Sequence, residues 1–559
     1  MKKRVGIILD SLDVSKQIYD FINLASNANN YQISTLIINE TKNNKINLSL
    51  KVLNYIKRHG FFKFYSTLLF KTICKLEQLI LNKTAKFSNF YKRYKLNEND
   101  FEIIYLKPIL SKNGLVYRYE KSCINLVIKS NLDLLIRGGS GILKGEILTV
   151  CPHGIISFHH ADNDLNRGGP PGFWEVFQKN PRTGFIIQRL RDELDGGDVL
   201  FKGFISTSFF YSLNLAKLYE LSNPFLHYVV EDILSEKPRL SINEKSPYSF
   251  PLYKTPSAYQ SIIYLLNTCY LMTLKILRKF TRRSYRWGVA YQFVDNWREV
   301  TLWRSKKIPN PKNRYLADPF IIKRNGEYIC FVEDYNYYTK KGSISAYKID
   351  QKNHQDLGIV LSEDFHISFP FLFEYEEELY MCPETYEKNE IRIYKCLEFP
   401  TKWIYKKTIM KNVSAVDTII FKKNKKWWLL TNIDNSFIKD HSHQLHIFYS
   451  DSPLSEQWTP HIANPVIYDS LIARNGGLIL ENDNIYRVFQ SQDFDLYGAS
   501  FGVSKINLIN NCEYKEKVLF KVQPKFFKNI LGTHTYNFKD GLIVIDFLEI
   551  EKRTNNTFF

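Results

Sequence analysis

No CxxC pair, no small-domain cysteine framework and no secretory-type apolar leader occur in this chain. Its eight cysteines (74, 123, 151, 269, 330, 382, 396 and 512) are scattered. That spacing excludes a disulfide scaffold and reads as reduced core thiols of a cytoplasmic protein. The start, Met1-Lys-Lys-Arg-Val-Gly-Ile-Ile-Leu-Asp10, passes from basic residues into a short strand-like run and meets an acid at once. A membrane span is not expected either: Ser261 to Leu277 is apolar, but Asn267 and Lys275 interrupt it and it is short for a bilayer. With its basic tail, the stretch 261–286 suits the anionic surface of an inner membrane face. Methionine is scarce, at 4, beside 36 Tyr and 40 Phe. Such an aromatic excess favours strands and sugar-stacking surfaces. Acids nearly vanish between Lys42 and Lys95, where Glu77 stands alone against 13 Lys and Arg. Patches of this kind attract nucleic acid, anionic lipid or phosphorylated substrates, or remain a solvated basic face.

What is present requires more than one core, since 559 residues exceed what a single domain buries. Val5 to Leu9 reads as a buried strand, Lys16 to Ala25 as a helix and Gln32 to Ile38 as a second strand, the opening of a parallel α/β domain. Residues 41–96 carry apolar positions at helical spacing (Leu53, Ile56, Phe61, Phe64, Leu68, Leu69) and predict an inserted helical pair. The α/β pattern resumes at Phe101 to Tyr105 and at Leu132 to Ile136, which Arg137-Gly-Gly-Ser-Gly-Ile142 closes. Residues 257–283 read as one amphipathic helix within a linker of 246–289.

Beyond Gly288 a unit of strand, polar turn and aromatic strand recurs. The pairs are Asp318 to Ile322 with Asn325 to Glu333, Phe369 to Phe373 with Glu377 to Glu384, and Asp417 to Phe421 with Lys425 to Leu430. Two weaker pairs are Asn475 to Leu480 with Asp483 to Phe489, and His534 to Phe538 with Gly541 to Asp546. A period of roughly 50 to 60 residues repeated five times predicts a five-bladed β-propeller over 290–559.

In the first half, Ile155 to Phe158 is a strand ending in the polar cluster Ser157-Phe-His-His-Ala-Asp-Asn163. Ligands of open α/β sheets bind beyond such carboxyl ends, and a His with an Asp there forms an acid/base pair. The stretch resembles the formyltransferase family, whose members act on methionyl-tRNA, glycinamide ribonucleotide or amino sugars. Ser157 stands at the family's Asn, His159 at its His, Arg167-Gly168 at the loop's end and Asp195 at the catalytic Asp. The resemblance covers about 1–235 and implies an open parallel-sheet, Rossmann-like domain over 1–245. It implies transfer of a formyl group from 10-formyltetrahydrofolate to an amine. His159 would donate to the developing oxyanion, Asp195 would orient it and help move the amine's proton, and Gly138, Gly139 and Gly141 with Glu193 and Leu194 would receive the pterin. His160, Asp162, Asn163 and Arg167 would meet the acceptor. Ser157 departs from the pattern, since a hydroxyl reaches less far than an amide. A hydrolytic Ser157, His159, Asp195 triad lacks the nucleophile elbow such chemistry needs.

The second half resembles the N-terminal domain of glucosamine inositolphosphorylceramide transferases and, through it, five-bladed glycoside hydrolases. The matching pieces are Ala317-Asp-Pro-Phe, Phe369-Pro-Phe, Met381-Cys-Pro-Glu-Thr385, Val416-Asp-Thr and Ala473-Arg-Asn-Gly-Gly477, within about 290–550. The resemblance implies a funnel where inner-strand acids meet, one as base and one as acid, with Asp318, Glu384 and Asp417 as candidates and Arg474 as a further substrate contact. Sugar binding is expected over hydrolysis, because Asp-Pro and Asp-Thr at blade starts also serve as turn residues. His441, His443 and His446 lack a second ligand cluster, so no metal is expected. The expected function is formyl transfer to a nucleotide- or lipid-linked amino sugar in surface-glycan synthesis. A methionyl-tRNA acceptor is disfavoured, because a linker helix and propeller stand where that enzyme's small β-barrel would follow. A deformylase, and a glycan-binding protein with a degenerate transferase half, are the rival readings.

Overall fold

Lys3–Leu9 (β1) is apolar from Val5 onward and buried there, as a strand inside a covered parallel sheet must be. The structure is a computed structural model and describes residues 2–40, 48–84, 86–112, 114–193, 196–235, 247–281 and 283–552. The chain divides into two units, Met1–Leu271 and Met272–Phe559.

In the first unit β1 is followed by Tyr31–Asn39 (β2), Glu102–Leu106 (β3), Leu134–Arg137 (β4), Ile155–His159 (β5), Arg182–Arg189 (β6) and Asp198–Ser206 (β7). They form one sheet in the order β3-β2-β1-β4-β5-β6-β7. Pairing is parallel from β3 to β5 and antiparallel for β6 and β7. Strand order reverses beside β1, so the carboxyl ends of β1, β4 and β5 open on a switch point where α/β sheets place ligands. The helices are Lys16–Ser26 (α1), Leu48–His59 (α2), Phe61–Asn82 (α3), Lys121–Lys129 (α4), Phe173–Phe177 (α5), Tyr211–Ile233 (α6) and Ala258–Phe280 (α7). The expected inserted pair is α2 and α3. Gly60 separates them at φ 82°, a backbone conformation that suits glycine and ends the first helix. The division between the units falls inside α7.

The second unit consists of antiparallel sheets; in four of them the strands follow chain order, and the fifth joins strands from both ends of the unit. Each recurring pair in the sequence is a hairpin: Arg314–Arg324 with Glu327–Asn336, Ser368–Tyr375 with Glu378–Glu384, Ala415–Lys423 with Lys426–Ile433, and Asn475–Glu481 with Asn484–Asp493. The fifth, Tyr536–Lys539 with Leu542–Lys552, is completed by Arg283–Phe293, so the two ends of the unit share one sheet. First strands touch in succession, from Arg314–Arg324 through Ser368–Tyr375, Ala415–Lys423, Asn475–Glu481 and Tyr536–Lys539, and the last returns to Arg314–Arg324. Their neighbours carry the apolar core, with Phe331, Trp428, Phe489 and Ile545 fully buried or nearly so.

Candidate functional site

Residues two apart on a strand share a face. Ser157 and His159 accordingly both line a cavity of about 420 Å³ at the carboxyl end of β5, together with Arg137, Gln188, Leu190 and Glu193. His159 is buried, and its Nε2 lies 2.8 Å from the Asn166 carbonyl oxygen. A carbonyl can only accept, so Nε2 carries the hydrogen and donates it to Asn166. Arg137, the last residue of β4, is anchored by Nε donating to the Gly141 carbonyl at 2.8 Å, and its Nη1 lies 3.3 Å from Ser157 Oγ. Ser157 Oγ donates in turn to the Phe158 carbonyl at 3.0 Å. Asp195 and Leu194 lie outside the described residues.

The other expected residues fall into distinct surroundings. Glu193 lines the His159 cavity. The glycines of the 138–141 turn are explained by packing. A Cβ on Gly138 would meet Ile18 and Leu9, one on Gly139 the Asp10 carboxylate, and one on Gly141 (φ 86°) the Tyr117 ring at 2.7 Å. Arg137 and Ile142, on either side of them, face the cavity. His160 forms a wall: its ring lies against Phe158 and Tyr219, and Nε2 is 3.3 Å from both Gln17 Nε2 and Ser222 Oγ. Burial above all, with the His159 ring beside it, pushes its pKa down to about 3, so it is neutral. Asp162 pairs with Lys202 at 2.5 Å and lines a separate cavity of about 240 Å³ with Asn166, Trp174 and Glu175. Burial pushes Glu175 up to about 7. The Asn163 carbonyl accepts from Arg167 Nε at 3.0 Å, and the Arg167 guanidinium lies 4.5 Å from the Tyr248 ring centre. Asp162, Asn163 and Arg167 thus shape the loop after β5, and the cavity beside His159 excludes them from its lining.

In the second unit the expected residues occupy a repeated device. Asp318, Phe369 and Asp417 have φ of 47°, 48° and 50°, each at a register shift near the start of a first strand. Non-glycine residues persist in this conformation when their surroundings impose it, and such bulges re-aim a side chain. Opposite the residue preceding each bulge the second strand places a buried polar group: Glu333, Glu384 and Asn432. Gln490 and Asp546 take the corresponding places through backbone bonds to Arg474 and Thr535.

Arg474 Nε lies 2.5 Å from Asp417 Oδ2, and its Nη2 3.8 Å from Glu384. Burial, then the Asp417 charge, hold Glu384 well above the usual carboxylate range, and burial raises Asp417 as well, against the pull of the Arg474 guanidinium. Glu333 is raised likewise by burial and by Asp318. His534, which sequence reading missed as a functional residue, sets Nε2 3.1 Å from Asp318 and Nδ1 2.7 Å from Asp546. Burial would neutralise it, but the two carboxylates lift its pKa to about 10. Burial raises Asp318 as well, yet His534, the Thr535 hydroxyl at 3.0 Å and Arg474 bring it below its ordinary value. Asp318, His534 and Asp546 have the spacing of a metal site; with a carboxylate facing each ring nitrogen, the imidazolium itself supplies the cation. His441 is spent on Ser414 at 2.9 Å and His446 on Gln444 at 3.1 Å. Trp287 lies 4.1 Å from the His534 ring and Tyr497 4.8 Å from the Arg474 guanidinium, an aromatic border to the charged cluster.

A family model described as glucosamine inositolphosphorylceramide transferase 1, N-terminal, matches residues 288–538. Over 211 residues, 37% of this chain and 27% of the other, the chain is 37% identical to glucosamine inositolphosphorylceramide transferase 1 of Arabidopsis thaliana. It spans about a quarter of the length of these transferases. Methionyl-tRNA formyltransferase of Bacillus subtilis is 25% identical over 210 residues, 36% of this chain and 62% of that enzyme. Among solved structures, Zg3597, a family 117 glycoside hydrolase of Zobellia galactanivorans, is similar with a TM-score of 0.32 at 8% identity, over 47% of this chain and 90% of that one.

Proposed function

We propose that this chain transfers a formyl group from 10-formyltetrahydrofolate to the amine of a nucleotide- or lipid-linked amino sugar in surface-glycan synthesis. In this reading the second unit is a five-bladed propeller that binds glycan. The observation carrying the proposal is His159 in its cavity beyond the parallel strands, with Nε2 committed to the Asn166 carbonyl. Ile142, Leu143 and Leu190 beside Arg191 and Glu193 offer apolar walls and polar edges, which suit a flat heterocycle. The folate supplies an electrophilic formyl carbon when bound. His159 and Asp195 together handle the attacking amine's proton, which passes to the folate nitrogen as its bond to the formyl carbon breaks. Arg137 places a fixed cation where negative charge develops. Similarity to methionyl-tRNA formyltransferase supports the reaction class, and similarity to a glucosamine-transferring enzyme supports a sugar substrate rather than tRNA. The succession of first strands and the bulged Asp318 and Asp417 support the propeller and its use as a receptor.

Thermal unfolding of the full chain with 10-formyltetrahydrofolate, tetrahydrofolate or nucleotide-linked amino sugars tests this reading, because a ligand of the native state raises the transition. Stabilisation by both a folate and an amino sugar is expected, without release of free sugar from a glycan. Stabilisation by sugar alone would leave a glycan-binding protein with a degenerate transferase half. In Ser157→Asn, formyl transfer should be preserved or raised, since the hydroxyl is occupied by Arg137 and the Phe158 carbonyl. A drop in kcat/KM of about tenfold or more would give Ser157 a role of its own.

A further inference from the structure

The helical insertion carries two opposed stripes on one helix. On α3, Phe70, Ile73, Glu77 and Leu81 face inward and are buried. On the opposite side Phe61, Tyr65, Leu68, Leu76 and Leu79 recur at helical spacing and are exposed, and neighbouring Phe62 is 86% exposed. The first half of α7 repeats the arrangement, with Ser261, Tyr264 and Thr268 buried and Tyr259, Ile262, Leu266 and Tyr270 outward. The helices are fastened together: Ala258 N donates to Ser66 Oγ at 3.0 Å, and the Tyr264 hydroxyl donates to Glu77.

Charge on this face has one sign. Glu77 is the single acid of 48–84, and it is spent inside, accepting from Tyr264 and from Ser212 N at 2.8 Å. Burial raises its pKa. The remaining charged side chains include Lys57, Arg58, Lys63, Lys71, Lys75 and Lys83, all exposed or partly so, and 258–271 holds no charged residue. A duplex nucleic acid would use the lysines but leave the outward Leu and Ile side chains in water. An outward apolar stripe bordered by cations is what an interfacial helix presents to anionic lipid. Among the described residues no helix is long and apolar enough to cross a membrane, so the face would lie on the bilayer.

We propose that the outer face of α3 and the first half of α7 docks the protein on an anionic bilayer surface. The platform consists of α3 and residues 258–271, and it does not depend on the formyl-transfer reading. The test is co-sedimentation of the full chain with phosphatidylcholine vesicles, pure or with about one part in three phosphatidylglycerol. Partition onto the anionic vesicles alone is expected, weakening as salt is raised. Phe62→Ser, Leu68→Ser and Leu266→Ser combined should lower that partition at least about tenfold, while leaving thermal unfolding unchanged. Lys71→Gln with Lys75→Gln, at exposed positions, should lower it and reduce its salt dependence whatever the fate of the triple variant. Absence of vesicle binding, or equal binding by both variants, overturns the proposal. So does a wild-type dimer by light scattering that the triple variant dissociates, which would put a second copy on this face. Binding of tRNA by the same lysines without vesicle binding would assign the face to RNA.

Discussion

Replacing His159 by alanine should lower formyl transfer by at least about a hundredfold, the range a positioned acid or base contributes. The variant removes the one ring whose tautomer is held by a carbonyl, Asn166 at 2.8 Å, and leaves Arg137 and Ser157 in place. The loss should therefore fall on kcat, with the folate-induced thermal shift retained, because the apolar and charged walls proposed to receive the heterocycle are untouched. A variant that unfolds like wild type and turns over normally would remove His159 from the reaction and with it the site assignment. One that loses folate binding together with turnover would instead make His159 part of the binding wall.

Much of the frame is legible in the residues. β1 and β2 are short apolar runs because parallel strands covered on both sides cannot alternate, and α1 follows as an amphipathic stretch. The hairpins of the second unit show through polar turns between aromatic strands, and the family resemblance expected over about 290–550 is matched over 288–538. The parts that escape notice are those whose meaning lies in space. Asn166 acts through its backbone carbonyl, which no residue type signals. Arg137 reads as a strand terminator, although its guanidinium faces Ser157. The polar ends of the second strands, Glu333, Glu384, Asn432, Gln490 and Asp546, do recur in the repeat. Of these the sequence reading singles out Glu384 alone; the other four are passed over because the residue type drifts from Glu to Asn, Gln and Asp along the repeat. The left-handed turn at Asp318 and Asp417 is invisible in a non-glycine residue.

His534→Ala should destabilise the second unit by about 3 to 5 kcal/mol, because removing one partner from a buried ionic group leaves the others uncompensated. Two carboxylates, Asp318 and Asp546, would then stand buried without the cation between them. For a unit of this size the transition should fall by on the order of 10 °C. The pH profile distinguishes charge from packing. Because folding lifts the His534 pKa from 6.5 to about 10, its contribution is fully present below about 6.5 and is lost as pH rises through about 10. The difference between wild type and variant should hence be largest at about pH 6.5 and below and shrink as pH rises toward about 10, measured by thermal unfolding of the full chain across that interval. Asp318→Asn added to His534→Ala should recover part of the loss, since it removes one of the stranded charges. A difference constant with pH, and no recovery in the double variant, would mean that His534 serves as packing for Trp287 and Tyr497 rather than as the cation. Ring removal alone costs the same at every pH, whereas a buried imidazolium costs what its proton is worth.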